Sequence, residues 1–136
     1  MVEGKPISLS DIHTPMFVVG TLRDHVAPWR STYKIHFQVD ADVTFLLTSG
    51  GHNTGIVAPP HEEGHSYRIS TKTADALYTG PDEWFKTVQP VEGSWWPEWT
   101  KWLAARSGKP SEPPHIGNGP AGGQALPDAP GDYVRQ

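Results

Sequence analysis

The chain contains no cysteine among its 136 residues. This absence excludes disulfide bonds and any thiolate chemistry supplied by the chain itself. Positive charge is also scarce, because 11 scattered Lys and Arg face 15 Asp and Glu, which gives a formal net charge of -4. Nucleic-acid binding usually needs a clustered basic face, so this distribution argues against a nucleic-acid partner.

Long apolar runs are missing as well. None approaches the roughly 20 apolar residues needed to cross a bilayer, and the N-terminus has no signal-peptide pattern. We therefore expect a cytoplasmic protein without a membrane span.

Glycine and proline, in contrast, are concentrated in residues 107–136, where they account for 12 of the 30 positions. Such a segment buries too little apolar surface to offset the entropy lost on ordering. We expect a folded α/β portion over residues 1–106 and an extended or disordered tail over 107–136. About a hundred residues are a marginal size for an independent core, so we expect marginal folding with exposed apolar edges.

Two short apolar runs have the pattern of strands buried on both faces. They are residues 16–20 (MFVVG) and 43–47 (VTFLL), which are continuous rather than alternating, as in a parallel sheet. Between them, Pro28 fits the first position of a helix. Four side chains would share one face of that helix: Trp29, Tyr33, His36 and Phe37. The pattern predicts a right-handed βαβ unit with two central strands, at the end of a larger sheet.

Two further helices are predicted downstream. The segment 79–88 (TGPDEWFKTV) has Pro81 and two acids in its opening turn. The segment 93–110 (GSWWPEWTKWLAARSGKP) has Ser94 as a cap and Gly108 as a stop. Its tryptophans at helical spacing are Trp95, Trp99 and Trp102. A stripe of this kind most often faces the core, and the alternative is an apolar docking face for a partner.

The candidate catalytic residues are Asp24 and His52, each in a loop after a predicted strand. Functional groups gather at such loops in a parallel sheet. If the strands are neighbours, the carboxylate and the imidazole lie side by side, as where an acid orients a catalytic histidine. The order acid, crossover helix, histidine is that of α/β-hydrolases. Two alternatives stay open: Asp24 as a turn or helix-capping residue, and His52 as a hydrogen-bonded turn histidine.

A nucleophile for such a triad is missing. An elbow of the form G-x-S-x-G or G-x-C-x-G should precede the acid, yet only 23 residues precede Asp24 and neither form occurs in the chain. The nearest imitation, residues 64–68, lacks the second glycine and follows His52. The triad is therefore incomplete in this chain.

Residues 61–65 spell H-E-x-x-H, the pattern of zinc proteases. That chemistry needs a helix, which places both imidazoles on one face. Pro59 and Pro60 precede the pattern, Gly64 interrupts it, and no third ligand follows at a useful spacing. We therefore expect a solvated loop here, and neither a metal nor another cofactor.

Three blocks in fixed order resemble the C-terminal part of polyhydroxyalkanoate synthases, the poly(3-hydroxybutyrate) polymerases, particularly of class I. They are R-D-H-x-x-P-W (23–29), S-G-G-H-x-x-G-I (49–56) and G-S-W-W-P (93–97). The resemblance runs from about Pro6 to the C-terminus. It implies an α/β-hydrolase-like fold with a Cys-His-Asp triad, which transfers 3-hydroxyacyl groups from coenzyme A to a growing polyester and releases CoA.

By the resemblance, Asp24 corresponds to the catalytic acid and His52 to the catalytic histidine, whereas the cysteine has no counterpart. The chain is then a C-terminal fragment, for instance from a truncated reading frame, and inactive by itself. His52 would take the thiol proton. Asp24 would either fix the imidazole tautomer or help to deprotonate the incoming 3-hydroxyl.

The resemblance also implies partners: the acyl-CoA substrate, the polyester chain, and a second synthase copy or the granule surface. Two other functions stay open. One is a non-catalytic module that binds a synthase or a granule through the tryptophan-rich helix. The other is a part of a different α/β-hydrolase, such as a depolymerase or a thioesterase.

Overall fold

A computed structural model of the chain describes residues 3–4, 6–113 and 129–136. The chain divides into two compact units, residues 1–106 and 107–136. The first unit holds the sheet and its helices, and the described part of the second contains a short 3-10 helix, Tyr133–Arg135. Half of the segment predicted as an extended tail, 114–128, lies outside the described residues.

One mixed sheet organises the first unit, which is of the α/β class. Its strands are, in spatial order, β1 (Met16–Thr21), β2 (Val43–Thr48), β3 (Ser66–Lys72) and β4 (Val91–Glu92). β1 and β2 are parallel, so the predicted parallel pair is confirmed. β3 and β4 are antiparallel to their neighbours. The sequence analysis predicted helices after the parallel pair and missed these two strands.

β3 alternates in a way that the sequence analysis missed. Tyr67 and Ile69 pack on one face of the sheet, against Leu46. On the opposite face, Arg68 stacks on the ring of Phe85. This alternation is typical of an antiparallel strand. β4 has only two residues, too few for any periodicity to show.

β2 is buried along its whole length because both faces of the sheet are covered. The buried cluster on one face consists of Trp29, Tyr33, Phe45, Leu47 and Trp84. The cluster on the other face consists of Leu46, Ala58, Tyr67 and Trp95. Successive side chains of β2 alternate between them, which explains its continuous apolar run. β1, in contrast, pairs only with β2 among the described residues, so its predicted central position is not seen there.

The crossover begins as α1 (Trp29–Thr32) and tightens to a 3-10 helix over Tyr33–Phe37. Trp29, Tyr33 and His36 are buried, as predicted. Phe37 is 57% exposed, so the prediction that it shares the face of Trp29, Tyr33 and His36 is wrong. With three residues per turn from Tyr33 onward, His36 stays above Tyr33 and Phe37 turns away.

The two downstream helices form where the sequence predicts them. α2 spans Pro81–Thr87 and begins with the proline and the two acids. α3 spans Trp96–Ala104, with Trp95 rather than Ser94 at the N-cap position. The tryptophan stripe is only partly buried, because Trp99 is 44% exposed. In the part of the chain that the structure describes, no helix combines the length and apolarity needed to cross a membrane.

Candidate functional site

The loops that follow β1 and β2 are joined by backbone hydrogen bonds. Leu22 N–H donates to Thr48 O over 2.9 Å, and Arg23 N–H donates to Gly50 O over 2.8 Å. The strands end together, with Thr21 opposite Thr48, so both loops leave the sheet at one edge. The polar residues of the two loops therefore meet at this edge.

The carboxylate of Asp24 accepts hydrogen bonds at both oxygens. Oδ1 accepts from the backbone N–H groups of Val26 (2.8 Å) and Ala27 (2.9 Å). Oδ2 accepts from Thr21 Oγ1 (3.3 Å) and lies 2.9 Å from His52 Nδ1. The side chain is only 7% exposed. Asp24 is thus both a turn residue before the crossover and the partner of the imidazole.

This arrangement holds the pKa of Asp24 well below its usual range. The largest cause is the hydrogen bond from Ala27 N–H, followed by the hydrogen bond from His52; burial opposes both. Hydrogen bonds to the charged form of a carboxyl favour ionisation. Asp24 is therefore an ionised acceptor at neutral pH.

The imidazole of His52 is oriented from one side only. Because an ionised carboxylate can only accept, the proton of the neutral ring is assigned to Nδ1. The side chain is 50% exposed, and no described residue hydrogen-bonds to Nε2. Nε2 thus keeps its lone pair for an external proton donor, as a general base requires.

Two glycines allow the tight loop that carries His52. Gly50 has a φ of +101°, in the left-handed region that favours glycine. A Cβ on Gly55 would lie 2.6 Å from Thr21 Cγ2 and 2.8 Å from Ser49 O. The loop therefore folds back directly onto the end of β1, which brings His52 to Asp24.

The H-E-x-x-H segment forms a turn and a bend rather than a helix, so the predicted loop is confirmed. Glu62 Oε2 lies 3.4 Å from His65 Nε2, and His61 is exposed. Among the described residues, no group of three or more His, Cys, Asp or Glu side chains is placed to hold a metal ion.

The sequence analysis missed that three residues hydrogen-bond to the His52 loop from the side opposite Asp24's loop. Ser94 Oγ donates to Ala58 O, Trp95 Nε1 to Gly55 O, and Trp96 Nε1 to Ile56 O. The G-S-W-W-P block was the available signal, but helical periodicity points only to burial and says nothing about indole hydrogen bonds. Thr21, the hydroxyl partner of Asp24, has no sequence signal of its own.

Fold and site together define an α/β protein with an acid-oriented histidine at one edge of its sheet. The chain is 36% identical over 135 residues to the poly(3-hydroxyalkanoate) polymerase subunit PhaC of Cupriavidus necator. The aligned region covers 98% of this chain and 22% of the relative. It is 35% identical over 133 residues to poly(3-hydroxyalkanoate) polymerase 2 of Ectopseudomonas oleovorans, covering 98% and 23%. It is 32% identical over 135 residues to the PhaC subunit of Rhizobium meliloti, covering 99% and 21%. No family model matches the chain.

The resemblance to polyhydroxyalkanoate synthases is thereby confirmed along nearly the whole chain. The chain is a relative of the poly(3-hydroxyalkanoate) polymerases, and it spans about a fifth of their length.

Proposed function

We propose that this chain is the acid- and histidine-bearing C-terminal part of a polyhydroxyalkanoate synthase of the α/β-hydrolase fold. The complete enzyme polymerises (R)-3-hydroxyacyl-CoA, such as 3-hydroxybutyryl-CoA, and releases CoA. The observation that carries the proposal is the 2.9 Å contact between His52 Nδ1 and Asp24 Oδ2. The similarity to polymerases supports the reaction class. The edge of β1 that stays unpaired among the described residues leaves room for further strands.

In the first step of the proposed reaction, His52 acts as general base. Its Nε2 takes the proton of a cysteine thiol, which another part of the synthase must supply because this chain has no cysteine. The thiolate attacks the thioester carbonyl and the bond to the CoA sulfur breaks. The imidazolium then gives its proton to that sulfur, so that CoA leaves as a free thiol and the acyl group stays on the cysteine.

In the second step, Nε2 takes the proton of a 3-hydroxyl group. The resulting oxygen attacks the carbonyl of the acyl-cysteine, an ester bond forms and the bond to the cysteine sulfur breaks. The imidazolium then returns its proton to that sulfur. The polyester is thereby longer by one unit, and the imidazole is again neutral.

The surroundings of Asp24 favour one of its two candidate roles. Its carboxylate already accepts from Val26, Ala27 and Thr21 besides His52, and its lowered pKa makes it a poor base. Deprotonating a hydroxyl directly would need a stronger and less occupied acceptor. We therefore assign Asp24 to holding the Nδ1–H tautomer of His52 and stabilising the imidazolium.

The proposal is tested by following free CoA from 3-hydroxybutyryl-CoA with a thiol reagent, to which this cysteine-free chain adds no background. The chain alone should release no CoA. Mixed with a relative polymerase that retains its cysteine but lacks the matching portion, it should restore release. His52→Gln should abolish that restoration, and the matched control His61→Gln, at an exposed histidine of the turn, should retain it.

Two outcomes would contradict the proposal. One is robust release by the chain alone that is lost in His52→Gln, which would mean that no external cysteine is needed. The other is a mixture whose two parts bind each other but release no CoA.

A second candidate function is granule or synthase binding through α3, where the ring of Trp99 is 44% exposed. The same contact would place the protein in the cytoplasm at the granule surface. The chain should then co-sediment with polyester granules, and Trp99→Ala should reduce the fraction of the chain that is bound to them. Binding that is unchanged in Trp99→Ala would remove this candidate.

A third candidate is a part of another α/β-hydrolase, such as a depolymerase or a thioesterase. The relatives are polymerases, which favours the synthase. The nucleophile of the complementing part discriminates between them, because a depolymerase would require a serine elbow where the synthase requires a cysteine.

A further inference from the structure

Residues 94–96 place three hydrogen-bond donors against the loop that carries His52. Trp95 Nε1 donates to Gly55 O over 3.0 Å, and Trp96 Nε1 donates to Ile56 O over 2.9 Å. Ser94 Oγ adds a hydrogen bond to Ala58 O. Residues 94–96 thus hydrogen-bond to three of the four carbonyl groups of residues 55–58. The two segments are 36 to 40 positions apart in the sequence.

The loop also has internal hydrogen bonds. Their acceptors are other carbonyl groups than those that accept from the side chains of residues 94–96. Gly55 N–H donates to Gly51 O and Val57 N–H to Asn53 O, both over 3.0 Å. His52 lies inside this turn. On its near side the turn is attached to the loop after β1, because Gly50 O accepts from Arg23 N–H. The orientation of the turn toward Asp24 also depends on what binds its far side.

The donor segment is itself fixed to the sheet. Trp95 is buried in the cluster that contains Leu46 of β2 and Tyr67 of β3, and its ring stacks near Phe17 of β1 at 6.5 Å. Trp96 is half-buried and packs against the same cluster. The indole of Trp95 thus lies in a cluster with side chains from three strands, and Trp96 packs against the same cluster. The segment is therefore a stable frame for the loop.

His52 has little else to hold it in place. Its side chain is 50% exposed, and Asp24 is its hydrogen-bond partner among the described residues. A half-exposed ring keeps its orientation only if its backbone is fixed relative to its partner. A small displacement of a catalytic group can be costly to the rate.

We propose that Trp95 and Trp96 are positioning residues, whose indole N–H groups hold the loop so that His52 keeps its Nδ1–H on Asp24 and its Nε2 open. The consequence for catalysis rests on the proposed function, whereas the positioning itself is a property of this chain and can be measured without turnover.

The test is 15N NMR of the His52 imidazole in the full chain, with the signal assigned by its loss in His52→Gln. Trp95→Phe and Trp96→Phe keep an aromatic ring and remove only the indole N–H. Each should lower the ratio of the Nδ1–H to the Nε2–H tautomer by up to about fivefold, the factor that corresponds to one net hydrogen bond. Trp84→Phe is the matched control, because buried Trp84 loses a 2.6 Å bond to Ser70 Oγ on the opposite face of the sheet.

A tautomer ratio that falls in the two variants but not in Trp84→Phe supports the proposal. An unchanged ratio in the folded variants overturns it, and so does an equal fall in Trp84→Phe, which would indicate general loosening. If Trp95→Phe does not fold, half-buried Trp96→Phe decides alone. A shifted ratio together with absent synthase activity would leave the positioning role intact and remove the proposed reaction.

Discussion

His52 Nδ1 lies 2.9 Å from Asp24 Oδ2, although 28 positions separate the two residues in the sequence. The carboxylate is almost fully buried and the imidazole is half exposed. The ring is therefore oriented from its buried side and open on the other. A ring held in this way can exchange a proton with a group that arrives from outside, which is the basis of the reaction proposed above.

Asp24→Asn should impose the wrong tautomer on His52. The amide oxygen must stay with the N–H groups of Val26 and Ala27, which directs the NH2 group toward His52. The NH2 group then donates to Nδ1 and moves the ring proton to Nε2. We expect CoA release by the reconstituted synthase to fall by about 10⁴-fold, as in a serine-protease triad with the same change.

The matched control for that variant is Asp82→Asn, which removes a carboxylate from an exposed ion pair with Arg30. Exposed pairs contribute little to stability, so release should be unchanged. Equal activity of the Asp24 and Asp82 variants would contradict the role assigned to Asp24.

As the pH is lowered, the fold should lose stability through protonation of His36 at a higher pH than through protonation of Asp24. His36 is 4% exposed, neither ring nitrogen has a hydrogen-bond partner among the described residues, and burial, with a smaller effect from Lys72, lowers its pKa to about 4. The unfolded histidine has a pKa of about 6.5. Between these two values the unfolded chain binds more protons, so stability falls as the pH falls, by at most ~1.4 kcal/mol per pH unit from this group.

The measurement is urea unfolding between pH 7.5 and pH 3. His36→Gln, which cannot titrate, should flatten the slope, and the matched His61→Gln should keep it. Below about pH 4 a second loss should appear, because the lowered pKa of Asp24 gives stability that is present above the unfolded pKa of about 3.9 and is lost as the pH falls toward its folded value. An unchanged slope in His36→Gln would show that His36 is not buried in neutral form.

Gly55→Ala should displace the His52 loop. The new Cβ would lie 2.6 Å from Thr21 Cγ2 and 2.8 Å from Ser49 O, closer than real Cβ atoms approach. We expect a loss of ~1–3 kcal/mol in the free energy of unfolding, typical of overpacking, together with a lower Nδ1–H tautomer ratio for His52. Gly80→Ala is the control, since a Cβ there meets nothing within 4 Å. Equal stability of the two variants in urea would count against the close packing of the loop.

The H-E-x-x-H segment should not bind zinc with useful affinity. Its residues form a turn and a bend, which do not present two imidazoles on one helical face. Calorimetric titration with zinc should give the same weak heats for the chain and for a His61→Gln, His65→Gln double variant. A tight zinc site that disappears in the double variant would overturn this expectation. In a separate assay, chelators should leave CoA release by the reconstituted synthase unchanged.

The pair at the sheet edge could be predicted because it depends on local patterns. Two continuous apolar runs, each followed by a polar loop, place Asp24 and His52 after neighbouring strands whenever those strands pair in parallel. The turn at 61–65 could be rejected as a metal site for a similar reason, since prolines and a glycine act on the backbone locally.

Other features depend on contacts between distant segments. β3 was missed because its polar side chains hide its alternation, and β4 is too short to show any. Phe37 was placed on the wrong face because the change from α to 3-10 geometry at Tyr33 has no sequence signal that we could identify. For Trp95, periodicity indicates burial, but only the fold shows which carbonyl its N–H binds.

The sequence by itself determined the α/β class, the parallel pair with its crossover, and the residue types of the acid–imidazole pair, because strand burial and loop position follow from short-range hydrophobic patterns. The tertiary structure alone decided the mixed sheet, the four hydrogen bonds to Asp24 and the attachment of residues 94–96 to the His52 loop. These features are hydrogen bonds whose partners and directions are set by packing, which no periodicity in the chain encodes.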